Sequence, residues 1–414
     1  MKFSQDRQHQ KKQPPVGILS YGVYLPRWAI LAAEIERANG QEPGSVSGSL
    51  GVKQKTVPSI DEDTITISIE AASQAFLRSA FLEGIEGEIA GEVGGEIGGG
   101  MGGEATLNKP DSKKSKFKPL TSKKDPRSDI GAIFIGSESH PYAVKPSGTV
   151  VKQALGLPRA TALADLQFAC KAGTQALQIC AAYAAAGLIS AGLAIGADTA
   201  QAEPGDALEY TAAAGGGAYL VGASSEKLVA QLVASCSSAQ DIPDFWRRPG
   251  QKYPQHAGRF TGDPSYFNQV QAATQDLLNE TGLIPEEIDF CIFHTPNAKF
   301  PRRAAKKLGF KPKQLEPSLV VEKIGNTYAG ASMIALAAVL DQAQADQTIL
   351  LTSYGSGAGA DSFLFKTTPF LVEARSQWKK RSGSRTALTV KDQVRALKTI
   401  DYQTYRSWLA KRGH

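Results

Sequence analysis

Apolar residues fall into short runs that alternate with amphipathic stretches, and the alternation begins near Val16. VGILSYGVYLP is an apolar run closed by Gly and Pro and predicts a strand and turn. Residues 63–82 repeat apolar positions at helical spacing, with Ile67, Ala71, Ala75 and Leu82 on one face. From Asp129 the pattern is strand then helix. IGAIFIGSESH, ALADLQFAC and AGLAIGADTA read as strands, separated by helical VVKQALGL and KAGTQALQICAAYAAAGLI. After a less regular middle the order returns: strand IDFCIFHTPN, helix RRAAKKLGF, strand SLVVEKIGNT, helix YAGASMIALAAVLDQA, and strand TILLTSYGSGAGADS with a Gly-rich exit.

The two series superpose at an offset of about 156 to 158 residues. IGAIFIGSE lies over IDFCIFHTP, and CKAGTQALQ over NTYAGASMIAL. Glu138 to Cys170 and His294 to Asn326 are both 32 residues apart. A tandem duplication of an α/β unit accounts for this and implies mainly parallel or mixed sheets with helices outside. The expected organisation is a leader over 1–15, one half over 16–225, a second over 226–366, and a basic extension over 367–414.

Two segments break the pattern. Residues 83–128 run from Gly/Glu low complexity into a Lys-rich stretch with Pro breaks, and neither part has periodic apolar residues to pack. This insertion joins the end of a helix to the strand carrying Glu138, so it is expected away from residues at strand C-termini. Residues 172–197 lack charge and mimic a membrane span, but Gly187 and Gly192 interrupt them; a buried helix and strand are expected instead.

The formal charge of +6 invites a nucleic-acid or membrane reading until it is divided. Residues 367–414 carry 11 Lys/Arg against 3 Asp/Glu, and residues 1–15 carry 4 against 1, so the rest of the chain is mildly acidic. A basic scaffold that binds nucleic acid or a partner protein through the Lys-rich insertion and the tail is therefore the weaker reading. Four cysteines without CxxC spacing argue against disulfides or structural zinc, and the N-terminus has no apolar signal segment; a cytoplasmic protein is expected.

Cys170 ends a strand and opens a long Ala-rich helix, where unpaired N–H groups and the helix dipole favour thiolate, with Lys171 following as a possible aid. Cys180, Cys236 and Cys291 lie inside apolar runs and read as small core residues. His294 closes a strand before a loop, a position suited to an acid or hydrogen-bond donor. Glu138 also leaves a strand end; it is either a base with a pKa lifted by a dry pocket or a charge preceding a helix. Lys299 and Arg303 belong to a cationic cluster suited to phosphates or to a solvated helix face. Asn326 holds the place in the second half that Cys170 holds in the first. Gly355, Gly357 and Gly359 could bring N–H donors to an oxyanion. His140 is given only a turn-shaping role.

At these residues the chain resembles archaeal-type 3-hydroxy-3-methylglutaryl-CoA synthases of the thiolase superfamily. DLQFACKAGTQALQ, GSESHPYAVKP, AIGADTAQAEPGDALEYTAAAGGGAYLVG, FHTPNAKFP, IGNTYAGAS and SYGSGAGADS carry the likeness, over about residues 16–82 and 129–366. It implies a duplicated five-layer α/β/α/β/α fold and an acyltransferase that joins acetyl-CoA to acetoacetyl-CoA. Cys170 would carry the acetyl group, Glu138 would take a methyl proton, and His294 would hydrogen-bond and protonate the ketone oxygen. Thr211, Thr261, Lys299, Arg303, Asn326 and Ser356 match substrate-contacting positions. Thr295 and Ala298 depart from the family's usual Gln and Gly. No cofactor is implied, coenzyme A thioesters being substrates. A homodimer, and a complex with acetoacetyl-CoA thiolase and a small zinc-ribbon/OB-fold protein, are implied by the resemblance alone. The rivals within the superfamily are a ketoacyl synthase III-like enzyme and a polyketide β-branching acyltransferase; Glu138 argues against the former, which makes its carbanion by losing CO₂.

Overall fold

A computed structural model describes residues 14–82, 125–199, 202–258, 261–380 and 388–411. Residues 1–13 of the expected leader and nearly all of the 83–128 insertion, with its expected position, lie outside the described residues. The strands in chain order are β1 (Val16–Tyr24), β2 (Trp28–Leu31), β3 (Gln54–Val57), β4 (Ile130–Gly136), β5 (Ala162–Leu166), β6 (Ala191–Thr199), β7 (Ala214–Ala223), β8 (Ala230–Ile242), β9 (Phe245–Trp246), β10 (Gln255–His256), β11 (Phe290–Phe293), β12 (Thr348–Thr352), β13 (Gly357–Thr367) and β14 (Lys398–Thr399).

Nine of them form a mixed sheet in the order β11-β12-β13-β8-β1-β7-β6-β4-β5. It reads as two repeats, β5-β4-β6-β7-β1 and β11-β12-β13-β8, whose strands pair with one another where Gly17 and Ile18 meet Gln231 and Ala230. In each repeat a parallel pair (β4 with β6, β11 with β12) is followed by antiparallel strands. The duplication seen in the sequence is thus a duplication of topology.

Helices sort into layers by the face they bury. Ala172–Ala185 and Ala331–Leu340 lie in one apolar cluster with residues of both repeats, including Tyr21, Phe134, Ile292 and Phe363. Every residue of Ala331–Leu340 is buried, as a helix apolar all round requires. Thr64–Leu82 and Ser147–Ala154 cover the outer face of the first repeat through Ile67, Ala71, Ala75 and Val151. Phe267–Thr281 and Lys299–Lys307 cover the second through Phe267, Val270, Leu277 and Ala304. Two helix layers outside and one between give the five-layer thiolase-like arrangement. The uncharged stretch resolves into helix Ala172–Ala185 and strand β6, and among the described residues no helix is long and apolar enough to cross a membrane.

Three expectations are corrected. SLVVEKIGNT is no strand: a short helix covers Val321–Ile324, ended by Gly325 at φ +76, with Val321 and Ile324 buried. A short apolar run fits a buried turn of helix as well as a strand, and periodicity alone does not separate them. The Gly-rich exit after β12 starts a second strand, β13, which pairs with β12 and with β8, a 13-residue strand that the irregular middle concealed. The segment 367–414, set apart by its charge, packs against the body over its described part. Trp378, Val390 and Tyr405 are buried, and β14 joins β2 and β3 in a small sheet.

Candidate active site

The parallel strands β4 and β5 run in register, Gly136 beside Leu166. Glu138 follows the first by two residues and Cys170 follows the second by four. Cys170 leaves its strand through a tight turn in which Ala169 has φ +42 and Lys171 N donates to Phe168 O at 3.2 Å, and helix Ala172–Ala185 starts immediately afterwards. The Cys170 thiol donates to Glu138 Oε1 at 3.0 Å.

The helix can start this deep because Gly173 and Gly196 leave room for the following turn: a Cβ on either would stand 2.4 or 2.3 Å from Ala329 O. That turn carries Tyr328, whose φ is +49. Tyr328, Glu138, Ser137, Ser139, Asp198, Gln167, Ala169 and Ser356 line a cleft of about 260 Å³, closed on the far side by Phe245, Trp246, Arg247 and Pro254. The last four belong to a hairpin in which β9 pairs with β10. Arg247 Nη2 donates to Glu138 O at 3.2 Å, and His256 Nε2 stands 3.1 Å from Asp206 Oδ2, so the hairpin is tied to the first repeat at two points.

Asp198, buried at the end of β6, organises the Glu138 turn. Its Oδ1 accepts from Ser137 Oγ (2.6 Å), Glu138 N (2.8 Å), Ser139 N (3.0 Å) and Ser139 Oγ (2.6 Å), and its Oδ2 accepts from Ala329 N (2.8 Å). One carboxylate therefore joins the Glu138 turn to the Tyr328 turn. The sequence reading missed it. Its one signal was an acidic residue closing an otherwise uncharged apolar run, where a buried charge requires partners.

Burial of its carboxyl, reinforced by the Asp198 charge, pushes Glu138 up to about 8. Burial, with Glu138 second, also pushes the Cys170 thiol well up, whereas the helix dipole had led to an expectation of free thiolate. The thiol keeps its proton and shares it with the carboxylate. Lys171, which adjoins the sulfur in sequence, has a partner of its own: its Nζ lies 3.0 Å from Asp361 Oδ1, with both side chains buried. The desolvation and the carboxylates of Glu138, Asp198 and Asp244 outweigh the effect of the helix dipole, which rarely exceeds about 2 kcal/mol.

His294 follows β11, fully buried, with its backbone N bonded to Thr352 O and its O accepting from Tyr266 OH. Burial pushes the imidazole down to about 3, and Nδ1 is buried without a hydrogen-bond partner. It is therefore a neutral ring, suited to donating a hydrogen bond rather than to acting as a charged acid. Its ring lies 6.3 Å from that of Tyr354, whose hydroxyl donates to Asp244 Oδ2 at 2.5 Å. His140, expected to shape its turn, places Nδ1 2.9 Å from Ser147 Oγ at the start of a helix.

Of the remaining expected residues, Ser356 lines the cleft with Glu138. Asn326 and Thr211 are joined through their backbones, Asn326 N donating to Thr211 O at 2.7 Å, while Asn326 Oδ1 accepts from Tyr328 N at 2.9 Å. The Asn326 amide thus braces the cleft-lining tyrosine and is not itself a lining residue. Thr261 begins the segment Thr261–Tyr266 and donates to Gly258 O. Lys299 and Arg303 are exposed on helix Lys299–Lys307, outside the cleft lining; Arg303 Nη2 reaches Asp263 at 3.1 Å. Ala298, one of the two departures from the expected pattern, fits against Gly51, where an added Cβ would come within 2.8 Å of it. The glycine donors expected for an oxyanion are engaged: Gly355 N and Gly359 N bond each other's carbonyls, and Gly357 N donates to Asp244 Oδ1. Their small size serves packing instead. A Cβ on Gly359 would meet the Phe168 ring at 2.5 Å.

Comparison with known proteins now bears on this arrangement. Residues 278–367 match the family described as 3-oxoacyl-[acyl-carrier-protein] synthase III C terminal. The chain is 45% identical over 362 residues to a hydroxymethylglutaryl-CoA synthase of Methanopyrus kandleri, covering 87% of this chain and 90% of the relative. It is 43% identical over 390 residues to a hydroxymethylglutaryl-CoA synthase of Methanosarcina barkeri, covering 94% and 97%. Among solved structures, MvaS in complex with 3-hydroxy-3-methylglutaryl coenzyme A superposes with a TM-score of 0.75 over 96% of this chain and 92% of that one, at 20% identity, a likeness of fold. With this identity extending over most of both chains, on a duplicated thiolase-like body, the chain belongs to the hydroxymethylglutaryl-CoA synthase family.

Proposed function

We propose that this chain condenses acetyl-CoA with acetoacetyl-CoA and water to give 3-hydroxy-3-methylglutaryl-CoA and CoA, the entry to isoprenoids through mevalonate. The observation that carries the reading is the 3.0 Å hydrogen bond between Cys170 Sγ and Glu138 Oε1, which places a base beside a nucleophile.

Cys170 attacks the acetyl carbonyl as its proton passes to Glu138. Glu138 hands that proton to the departing CoA thiolate and is left ionised. The acetyl group then sits on Sγ within reach of the same carboxylate, which removes a methyl proton. The carbanion adds to the ketone of acetoacetyl-CoA, whose oxygen His294 polarises as a neutral donor, and the proton taken from the methyl group ends on the new hydroxyl. Water cleaves the Cys170 thioester, restoring the thiol and giving the free carboxylate of the product. Each proton-transfer group contributes about 10²–10⁴ in rate. Ser356 lines the cleft and is proposed as a substrate contact on that ground; Thr211, Thr261, Lys299, Arg303 and Asn326, outside the cleft lining, are proposed as contacts on the family likeness, with the Lys299–Arg303 helix receiving phosphates.

The scheme draws on side chains alone and needs no cofactor. A homodimer in the cytoplasm, and association with acetoacetyl-CoA thiolase and a small zinc-ribbon/OB-fold protein, are supported by family likeness.

Incubation with acetyl-CoA and intact mass measurement tests the proposal. An adduct of about 42 Da, one acetyl group, is expected on wild type, absent from Cys170→Ala and discharged as product on adding acetoacetyl-CoA. Absence of the adduct from active wild type would refute it.

A further inference from the structure

Lys171 stands next to the nucleophile in sequence, and its ammonium is held by other groups. Nζ lies 3.0 Å from Asp361 Oδ1 and 2.7 Å from Gln175 Oε1, and 4.3 Å from the centroid of the Phe168 ring. Lys171 and Asp361 side chains are 3% and 0% exposed. Asp361 lies on β13, in the second repeat, and has further donors: Ser237 Oγ to Oδ1 at 2.8 Å and Thr174 Oγ1 to Oδ2 at 3.1 Å. Thr174 Oγ1 also reaches Ser353 Oγ at 2.7 Å. The Phe168–Lys171 turn is thus held at its backbone by its own helix, at Phe168 by Gly355 and Gly359, and at Lys171 by a buried ion pair from the other repeat.

The pair is buried and closed on itself. It fixes the residue adjoining Cys170 to a strand of the opposite repeat. We infer that Lys171 and Asp361 form a positioning clamp across the two repeats, which holds the Cys170 sulfur in line for acyl transfer without contributing charge to it. The inference rests on Cys170 being the acylated nucleophile. Displacing a reacting atom by about 1 Å costs on the order of 100-fold in rate, so the clamp acts on turnover and not on substrate affinity.

Two variants test it. Lys171→Met with Asp361→Leu removes both charges and keeps apolar volume, an exchange that buried ion pairs commonly tolerate; Asp361→Asn is the milder change, keeping the shape and one acceptor oxygen but losing the charge and the acceptor for Thr174. Circular dichroism establishes folding, quench-flow mass measurement gives the rate of Cys170 acetylation, and iodoacetamide alkylation against pH gives the thiol's apparent midpoint. The expected result is a fall of about 10- to 100-fold in acetylation, an unchanged KM for acetyl-CoA and an unmoved alkylation midpoint. Acetylation at the wild-type rate in the folded double variant overturns the clamp. Slower acetylation with a midpoint moved to higher pH assigns Lys171 to charge supply and overturns it also. Failure of wild type itself to acetylate at Cys170 refutes the nucleophile, a separate outcome read in the same experiment.

Discussion

The sulfur of Cys170 and a carboxylate oxygen of Glu138 stand 3.0 Å apart, although 32 residues separate them in the chain. They meet because β4 and β5 are parallel and in register, so residues just beyond both C-terminal ends converge. The pair shares a proton in a buried setting, and that fixes what each residue can do.

Replacing Glu138 by Gln removes the proton acceptor for both steps. Acetylation slows, and condensation, which depends on a base more completely, falls by about 10²–10⁴. Acetyl-Cys170 therefore builds up on the variant in the presence of both substrates. Intact mass during turnover reads this directly; condensation at the wild-type rate would remove Glu138 from the reaction.

Activity rises with pH through the value of Glu138. The carboxylate works only when ionised, and burial holds it at about 8, so kcat/KM climbs close to tenfold per unit below that point. Asp198→Asn takes away a charge that lifts Glu138 and moves the climb to lower pH. A profile flat between pH 6 and 9 would contradict the assignment.

Stability moves the other way. Glu138 holds its proton more tightly folded than unfolded, so its contribution is whole below about 4.5 and is lost as pH rises through about 8. His294, pushed down to about 3, disfavours its proton when folded, so its contribution is whole above about 6.5 and is lost as pH falls toward 3. Thermal melts are expected to flatten on the alkaline side in Glu138→Gln and on the acid side in His294→Leu.

His294→Leu separates the two half-reactions. The imidazole is neutral and its Nδ1 has no hydrogen-bond partner, so an apolar side chain of similar size is tolerated in the fold. Acetylation of Cys170 stays within a few-fold of wild type, and product formation drops by at least about 100-fold. Loss of acetylation in a folded variant would place the imidazole in the first step.

Gly359→Ala puts a methyl group 2.5 Å from the Phe168 ring and pushes the turn that carries Cys170. A loss of about 1–3 kcal/mol in stability and a lower acetylation rate are expected. Gly48→Ala, with open space around its Cβ, is the control: it is helical, so a gain of about 0.5–1 kcal/mol is expected there. Equal behaviour of the two would show that packing against Phe168 does not matter.

Much of this was legible before any coordinates. Apolar runs ending in polar residues located β4, β6 and β11, and the equal spacing of Glu138–Cys170 and His294–Asn326 revealed the repeat. What stayed hidden was decided by long-range packing. Val321 and Ile324 suit a strand or a helical turn equally. The strand β8 alternates buried and exposed residues weakly, and only its neighbours β1 and β13 show that it joins the repeats. Charge masked the C-terminal segment because its anchors, Trp378, Val390 and Tyr405, are few among many Lys and Arg. Asp198 and Asp361 are ordinary acidic residues in sequence, and their importance comes from partners that no local spacing reveals.

The packing of that C-terminal segment also sets a timetable for the growing chain. Gln393 donates to Val23 O and accepts from Leu25 N, and Lys398 pairs with Trp28, so residues near the start wait for partners about 370 positions later. At about 5–20 residues per second, a ribosome needs roughly 20–70 s to deliver them. Until then Trp378 has not reached the Tyr21 ring, and the apolar surface it covers stays open to chaperones or to other nascent chains. Residues made about 370 positions later are the ones that finish β1 and β2.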